Sequence, residues 1–256
     1  MLINHLSVSR SQCFELCQQQ YKYRYHLKIV PDKPEQVYFV YGKLIHKAAE
    51  IYVETKGAQP IVEIGKKLIS GIEKFDGSNN LHLLTNEYRS KFWKHLKVVE
   101  KITEKVGFDG LIEYKVEYDL DAPNNKILLG FIDRLILKND RAIILDYKTS
   151  KDNSWRKTQE TIKTDLQLNA YAMVINDKFG IEPEKIQAAL IYLEGAKTVS
   201  TNFKKENLLK VKENLKNLYC KIENTDENKA EANVGSHCWR CDYSNMCPYF
   251  RSKNAC

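Results

Sequence analysis

Two acids and a lysine stand where apolar strands should continue. In "KILLGFIDRLILK" (126–138) Asp133 interrupts an aliphatic run, and in "AIILDYKTSK" (142–151) the run stops at Asp146, Tyr147 and Lys148. Side chains alternate across a strand, so Asp146 and Lys148 project from one face and Tyr147 from the other. A hairpin turning near 138–141 brings Asp133 and Asp146 together at one end of the sheet. Two carboxylates ~4 Å apart repel by ~4 kcal/mol at an effective dielectric of about 20. A divalent cation removes that penalty, and hard Mg²⁺ or Mn²⁺ prefers such oxygen ligands. Lys148 can then steady a water nucleophile or the charge that builds on a phosphate. An ordinary reading stands beside this one: an Asp146–Lys148 ion pair at a solvated strand end, with Asp133 paired to Arg134 or Lys148.

Two further stretches can serve the same chemistry. "DLQLNAYAMVI" (165–175) sets Gln167 and Tyr171 four residues apart on one helix face, able to bond a phosphate backbone or to support the site. His46, in "GKLIHKAAEIYVET" (42–55), offers a nitrogen to the same metal. Each has a plainer account, with Tyr171 packed on the sheet and His46 a partly buried polar residue.

The cysteines form a second constellation. "CWRCDYSNMCP" places Cys238, Cys241 and Cys247 in C-x₂-C-x₅-C spacing, and Cys13 and Cys17 are the candidates for a fourth ligand. Four thiolates suit zinc or a [4Fe–4S] cluster, and the spacing alone leaves the two balanced. Cys220 and Cys256 read as spare thiols, and His237 has no metal role.

The elements that must position these groups follow from periodicity. A helix is predicted across "SRSQCFELCQQQYKYRYHL", a second over 42–55, and mostly helical structure over 61–106 with a turn-rich break at 76–80. Three consecutive strands follow at 111–120, 126–138 and 141–150, reading as an antiparallel meander. A long helix at 158–179, strands at 185–195 and 197–203, and an amphipathic helix at 205–222 complete an α+β core. The polar stretch 223–236 reads as a linker to the cysteine-rich tail.

The chain has 256 residues, 43% of them hydrophobic, so a substantial core is available. A net charge of +7 is compatible with a polyanionic partner. No run suits a membrane span and the start lacks a secretion signal, so a cytoplasmic protein is expected, with cysteines reduced or metal-bound. "YKYRYHLK" (21–28) and "SKDNSWRKT" (150–158) interleave aromatic and basic residues, as suits nucleic acid, although solvated basic faces read the same way. In the second stretch Lys151, Trp155, Arg156 and Lys157 are the better candidates for DNA contact.

Taken in order, Gly42–His46 as G-x-x-x-H, "GFID" at 130–133, "DYKTSK" at 146–151 and "QLNAY" at 167–171 resemble the successive motifs of RecB-like PD-(D/E)XK nucleases. The resemblance implies a restriction-endonuclease-like core, a central mixed sheet flanked by helices. It makes His46, Asp133, Asp146 and the carbonyl of Tyr147 metal ligands, Lys148 the catalytic lysine, and Gln167 and Tyr171 supporting residues. Glu113 matches an acidic position on the preceding strand, with Glu117 as its competitor. One early cysteine and three late ones resemble the iron–sulfur branch, which includes CRISPR-associated iron–sulfur exonucleases and AddB-type nucleases. That likeness turns the balance from Zn²⁺ to a [4Fe–4S] cluster held by Cys17, Cys238, Cys241 and Cys247.

The organisation so implied is a single nuclease domain over 1–256, with a helical insertion at 57–110. Its tail, 236–256, is stapled to the N-terminal helix by the cluster. The implied function is a Mg²⁺- or Mn²⁺-dependent DNA nuclease acting on single-stranded ends in recombination, repair, CRISPR adaptation or phage DNA processing. With no G-x-x-x-x-G-K-[ST] motor motif in the chain, a helicase or recombination partner acts in trans. The alternative is a non-catalytic DNA-binding scaffold that keeps the fold.

Overall fold

A computed structural model describes residues 1–31, 37–75, 86–149 and 156–253. The order of the five strands in the sheet is β1 (Leu111–Asp119), β2 (Ile127–Lys138), β3 (Arg141–Lys148), β4 (Ile186–Tyr192) and β5 (Lys197–Asn202). β2 pairs antiparallel with β3, β3 parallel with β4, and β4 antiparallel with β5. The sheet is therefore mixed and helix-flanked, an α+β architecture of restriction-endonuclease-like type. The parallel step needs a crossover, and α6 (Leu166–Phe179) supplies it. Leu168–Ile175 is buried throughout, as expected of a helix enclosed on every side.

The chain divides into two compact units, each discontinuous in sequence. One comprises 35–115 and 131–205. Its core forms where α3 (Val37–Glu54), α4 (Ile61–Phe75) and α5 (Asn86–Val106) meet the sheet. Leu44, Ile45, Ala48 and Ala49 recur at helical spacing on α3 and pack with Ile64, Phe92, Leu96 and Val99, and with Tyr147, Ile191 and Leu193. Gly110, just before β1, has φ +123, and a Cβ there would lie 2.7 Å from the Leu135 carbonyl oxygen. Only glycine fits that approach.

The other unit comprises 1–34, 116–130 and 206–256. Leu6 bridges Leu128 of β2 through two backbone bonds of 2.7 Å. The N-terminal ammonium donates to the carbonyl oxygens of Ile222, Glu223 and Thr225, and the Tyr219 hydroxyl to that of Ile3. These bonds tie the start of the chain to the end of α7 (Lys205–Asn224).

Three predicted boundaries move. The N-terminal helix is divided into α1 (Val8–Leu16) and α2 (Gln18–Tyr21), because Cys17 is extended at φ −162, ψ 111. The predicted 158–179 helix begins only at Leu166. The Asp165 carboxylate caps its first turn by accepting from the Leu168 N–H at 3.1 Å, and a 3₁₀ turn, Thr161–Thr164, precedes it. α3 starts at Val37, five residues before Gly42. The predicted turn at 76–80 lies outside the described residues.

Candidate active site

The antiparallel register of β2 and β3 ends on Arg134 opposite Leu145. One step beyond that pair stand Asp133 and Asp146, the two acids that interrupt the apolar runs. Asp133 Oδ2 accepts the Tyr147 backbone N–H at 2.6 Å, so the carboxylate replaces a ladder bond and is held by it. On the opposite face of β2, Arg134 is 1% exposed and donates to the carbonyl oxygens of Gly107 and Asp109. That anchor fixes the strand from which Asp133 projects.

His46 reaches the same point from α3. Its Nδ1 lies 3.3 Å from Asp133 Oδ1 and 3.9 Å from Glu113 Oε1. Among the described residues, His46, Glu113 and Asp133 are the group whose ligand atoms all lie within 4.8 Å of one another. An octahedral ion with bonds of ~2.1 Å sets neighbouring ligands ~3.0 Å apart and opposite ones ~4.2 Å apart. The 3.3 and 3.9 Å separations from His46 fall between these limits; the two carboxylates suit a hard divalent ion and the imidazole favours Mn²⁺ over Mg²⁺.

Glu113 is the residue that sequence reasoning did not resolve. It has φ +46 within β1, a left-handed conformation rare for a side-chain-bearing residue in a strand. Strain of this kind persists where the surroundings over-determine it, and here it accompanies a carboxylate placed in the acid group. Glu117, its competitor, is exposed. Nothing in the "LIEYKVEYDL" pattern announces the kink that separates them.

Asp146 is 3% exposed, with its Oδ2 2.7 Å from Lys148 Nζ, and it also interacts electrostatically with Asp133 and His46 of the trio. Lys148 also donates to Gln167 Oε1 at 3.1 Å, and Gln167 Nε2 to the Tyr171 hydroxyl at 3.3 Å. The relay from strand to helix joins the residues that the sequence set four apart on α6.

Electrostatics follow from this crowding. Burial raises the Asp146 carboxyl to about 6, with the Asp133 charge adding to it and Lys148 opposing. Burial also raises Glu113, helped by Asp133. Burial alone would lower His46, but its bond to Asp133 and the charges of Asp133, Asp146 and Glu113 outweigh it and push it up to about 9. Lys148 loses by burial and gains more from Asp146, so it remains a cation at neutral pH. At neutral pH the His46 proton thus offsets part of the carboxylate charge gathered at this point.

The remaining predicted residues are placed as follows. Arg156 donates to the Glu194 carbonyl oxygen at 2.8 Å and lies over the Tyr192 ring at 5.3 Å. The Lys157 backbone N–H donates to the Tyr192 hydroxyl, and its Nζ is 3.5 Å from Asp165. Lys151, Trp155 and Cys256 lie outside the described residues.

In the other unit, Cys17, Cys238, Cys241 and Cys247 line one pocket with Tyr23 and Tyr243. Cys13 is not among its lining residues; it is buried, which pushes its thiol up to about 12. The pocket is closed by bonds between the chain ends. The Gln19 N–H donates to the Glu231 carbonyl oxygen, Asn233 to the Leu16 carbonyl oxygen, the Tyr243 hydroxyl to the Ile29 carbonyl oxygen, and Arg24 pairs with Asp242.

A solved structure of a Eubacterium rectale protein named "Putative exonuclease" aligns with TM-score 0.52 at 13% identity, covering 97% of this chain and 88% of that one. A second, SSO0001, aligns at TM-score 0.40 and 16% identity over 90% of this chain and 94% of that one, too low to carry an argument. No curated protein matches the sequence. No helix among the described residues is long and apolar enough to cross a membrane. The family model of the PD-(D/E)XK nuclease superfamily matches residues 5–248, nearly the whole chain, and the protein belongs to that superfamily.

Proposed function

We propose that this chain is a metal-dependent DNA nuclease acting on single-stranded ends, of the RecB-like iron–sulfur branch. The observation that carries the reading is the His46–Glu113–Asp133 trio beside the Asp146–Lys148 pair in a PD-(D/E)XK chain. His46, Asp133 and Glu113 would hold the ion, with Asp146 and the Tyr147 carbonyl completing its shell. When bound, a divalent ion supplies Lewis acidity to a phosphoryl oxygen. The chain's own residues do the rest. Lys148, protonated at neutral pH, is suited to stabilise charge building on the phosphate rather than to accept a proton. Gln167, braced by Tyr171, fixes the Lys148 ammonium, and Asp133 is held in aim by the Tyr147 N–H. Lys157, with Arg156, Lys151 and Trp155, provides contacts to the DNA strand. The exonuclease description of the Eubacterium rectale protein supports end-directed cleavage.

Cys17, Cys238, Cys241 and Cys247 would hold a [4Fe–4S] cluster of structural role. All four thiols line one pocket, as a shared ligand set requires, and the likeness of the C-x₂-C-x₅-C tail to the iron–sulfur branch favours a cluster over zinc. Cleavage of end-labelled single and double strands with Mn²⁺, and iron and sulfide analysis of anaerobically purified protein, test the two parts separately. Absence of metal-dependent cleavage overturns the first. A colourless protein with one zinc overturns the second.

A further inference from the structure

The outer face of α3 continues past His46 into a groove of about 630 Å³, lined by Tyr38, Phe39, Gly42, Lys43, Lys47 and Thr149 along with His46, Glu50 and Glu113. Tyr38 and Phe39 are each 49% exposed, and their ring centroids are 4.4 Å apart. Tyr41 of the same helix, by contrast, turns inward at 2% exposure. Here adjacent rings stand outside while the inward positions of the same helix are filled by Val40, Leu44 and Ile45. Both rings therefore stand outside the core.

Their surroundings define an occupant. Lys43 and Lys47 follow the rings along α3, Lys47 with its Nζ 2.8 Å from Glu50 Oε1, so the groove runs from two exposed rings tilted 43° to one another, past these cations, to the proposed metal ligands. Position 42 carries no side chain, and a Cβ there would meet only Thr149 Oγ1 at 3.7 Å. Glycine leaves that wall low between the rings and His46. Alternation of π-faces and cations matches a polynucleotide whose bases are unpaired, since bases within a duplex have no free face to offer.

We infer that Tyr38 and Phe39 form a stacking platform for unpaired bases of the substrate strand, with Lys43 and Lys47 taking its phosphates on the way to the metal site. This rests on the nuclease reading above and names the residues by which that site selects single strands. An apolar protein partner would use the same rings differently, through buried area rather than through flat faces.

The test is the affinity of the full-length protein, in Ca²⁺ to suppress cleavage, for a short labelled oligodeoxyadenylate and for a blunt duplex. Three double variants are compared, Y38A/F39A, Y38L/F39L and Y38W/F39W, with melting midpoints as a check on folding. Stacking predicts that the Ala and Leu variants bind the single strand roughly tenfold or more weakly, with little change on the duplex, and that the Trp variant binds like wild type. A fluorescent adenine analogue should be quenched by wild type and by the Trp variant alone. Equal single-strand affinity in wild type and the Ala variant overturns the platform and leaves the nuclease reading in place. Wild-type behaviour of the Leu variant also overturns it, because it shows apolar packing without stacking. Failure of wild type to bind any polynucleotide overturns both.

Discussion

The acid group and the cysteine pocket gather ligands in opposite ways. Asp133 and Asp146 are placed by the register of two neighbouring strands, and His46 and Glu113 are added by a helix and a kinked strand of the same unit. The cysteines come from opposite ends of the chain and meet through long-range bonds such as Tyr243 to Ile29 and Asn233 to Leu16. One site is held by the sheet and pays in electrostatics. The other is held by the ends and pays in loop closure. The first should therefore keep its shape without an ion and respond to protons; the second, as the proposed [4Fe–4S] site, should lose its shape when a cluster is withheld.

The largest effect that would break this contrast lies at the acid group. Asp133→Ala removes a ligand and the acceptor of the Tyr147 N–H, and Lys148→Ala removes the cation that would meet charge on the phosphate. Each should lower Mn²⁺-dependent cleavage by roughly 100-fold or more. Lys148→Ala should retain Mn²⁺ binding, measured by calorimetry, while Asp133→Ala should not.

Next come the cysteines. Cys17→Ser or Cys238→Ser should empty the pocket of iron and lower the melting midpoint by several degrees. Closing a loop that spans most of the chain is worth up to about 5 kcal/mol in the chain-entropy view. Cys13→Ser, outside the pocket, should leave the iron content unchanged. Retention of the cluster in Cys17→Ser with its loss in Cys13→Ser would reverse the ligand assignment.

Proton linkage sharpens the comparison further. In the metal-free protein His46 is raised from 6.5 to about 9. Its contribution to stability is therefore full below about 6.5 and lost as pH rises through about 9. Asp146, raised from 3.8 to about 6, acts in the same direction, its contribution fading as pH rises from 3.8 through about 6. The metal-free melting midpoint should thus fall between about pH 6 and 9. Mn²⁺ affinity should rise over the same window, because the ion displaces the His46 proton. His46→Gln should flatten both slopes.

The smallest effect concerns DNA contacts. Lys157→Ala should reduce the salt slope of single-stranded DNA binding by about 0.7 unit, as expected for one phosphate contact. Arg156→Ala should change that slope less and cost about 1 kcal/mol of stability, because its guanidinium already serves Glu194 and Tyr192.

What the sequence disclosed follows from which features are local. The interruption of aliphatic runs by Asp133 and Asp146, the D-x-K alternation and the four-residue step from Gln167 to Tyr171 are properties of single elements, and each was readable. Glu113 was not separable from Glu117, because both lie on one parity of β1 and only the left-handed backbone at 113 distinguishes them. The extended break at Cys17 was hidden for a related reason. The flanking residues are good helix formers, and the break answers to contacts with the far end of the chain, such as Gln19 with Glu231. The approach of His46 to Asp133 depends on how α3 packs on the sheet, which periodicity can orient but cannot measure.

The central claim is that the trio and Lys148 form one metal-dependent hydrolytic site. Its most direct test is cleavage of end-labelled single-stranded DNA by wild type, Asp133→Ala and Lys148→Ala, each with Mn²⁺ and with a chelator. The account predicts cleavage by wild type with Mn²⁺ only, and none above background by either variant. Cleavage that persists in the chelator, or in both variants at the wild-type rate, would contradict it.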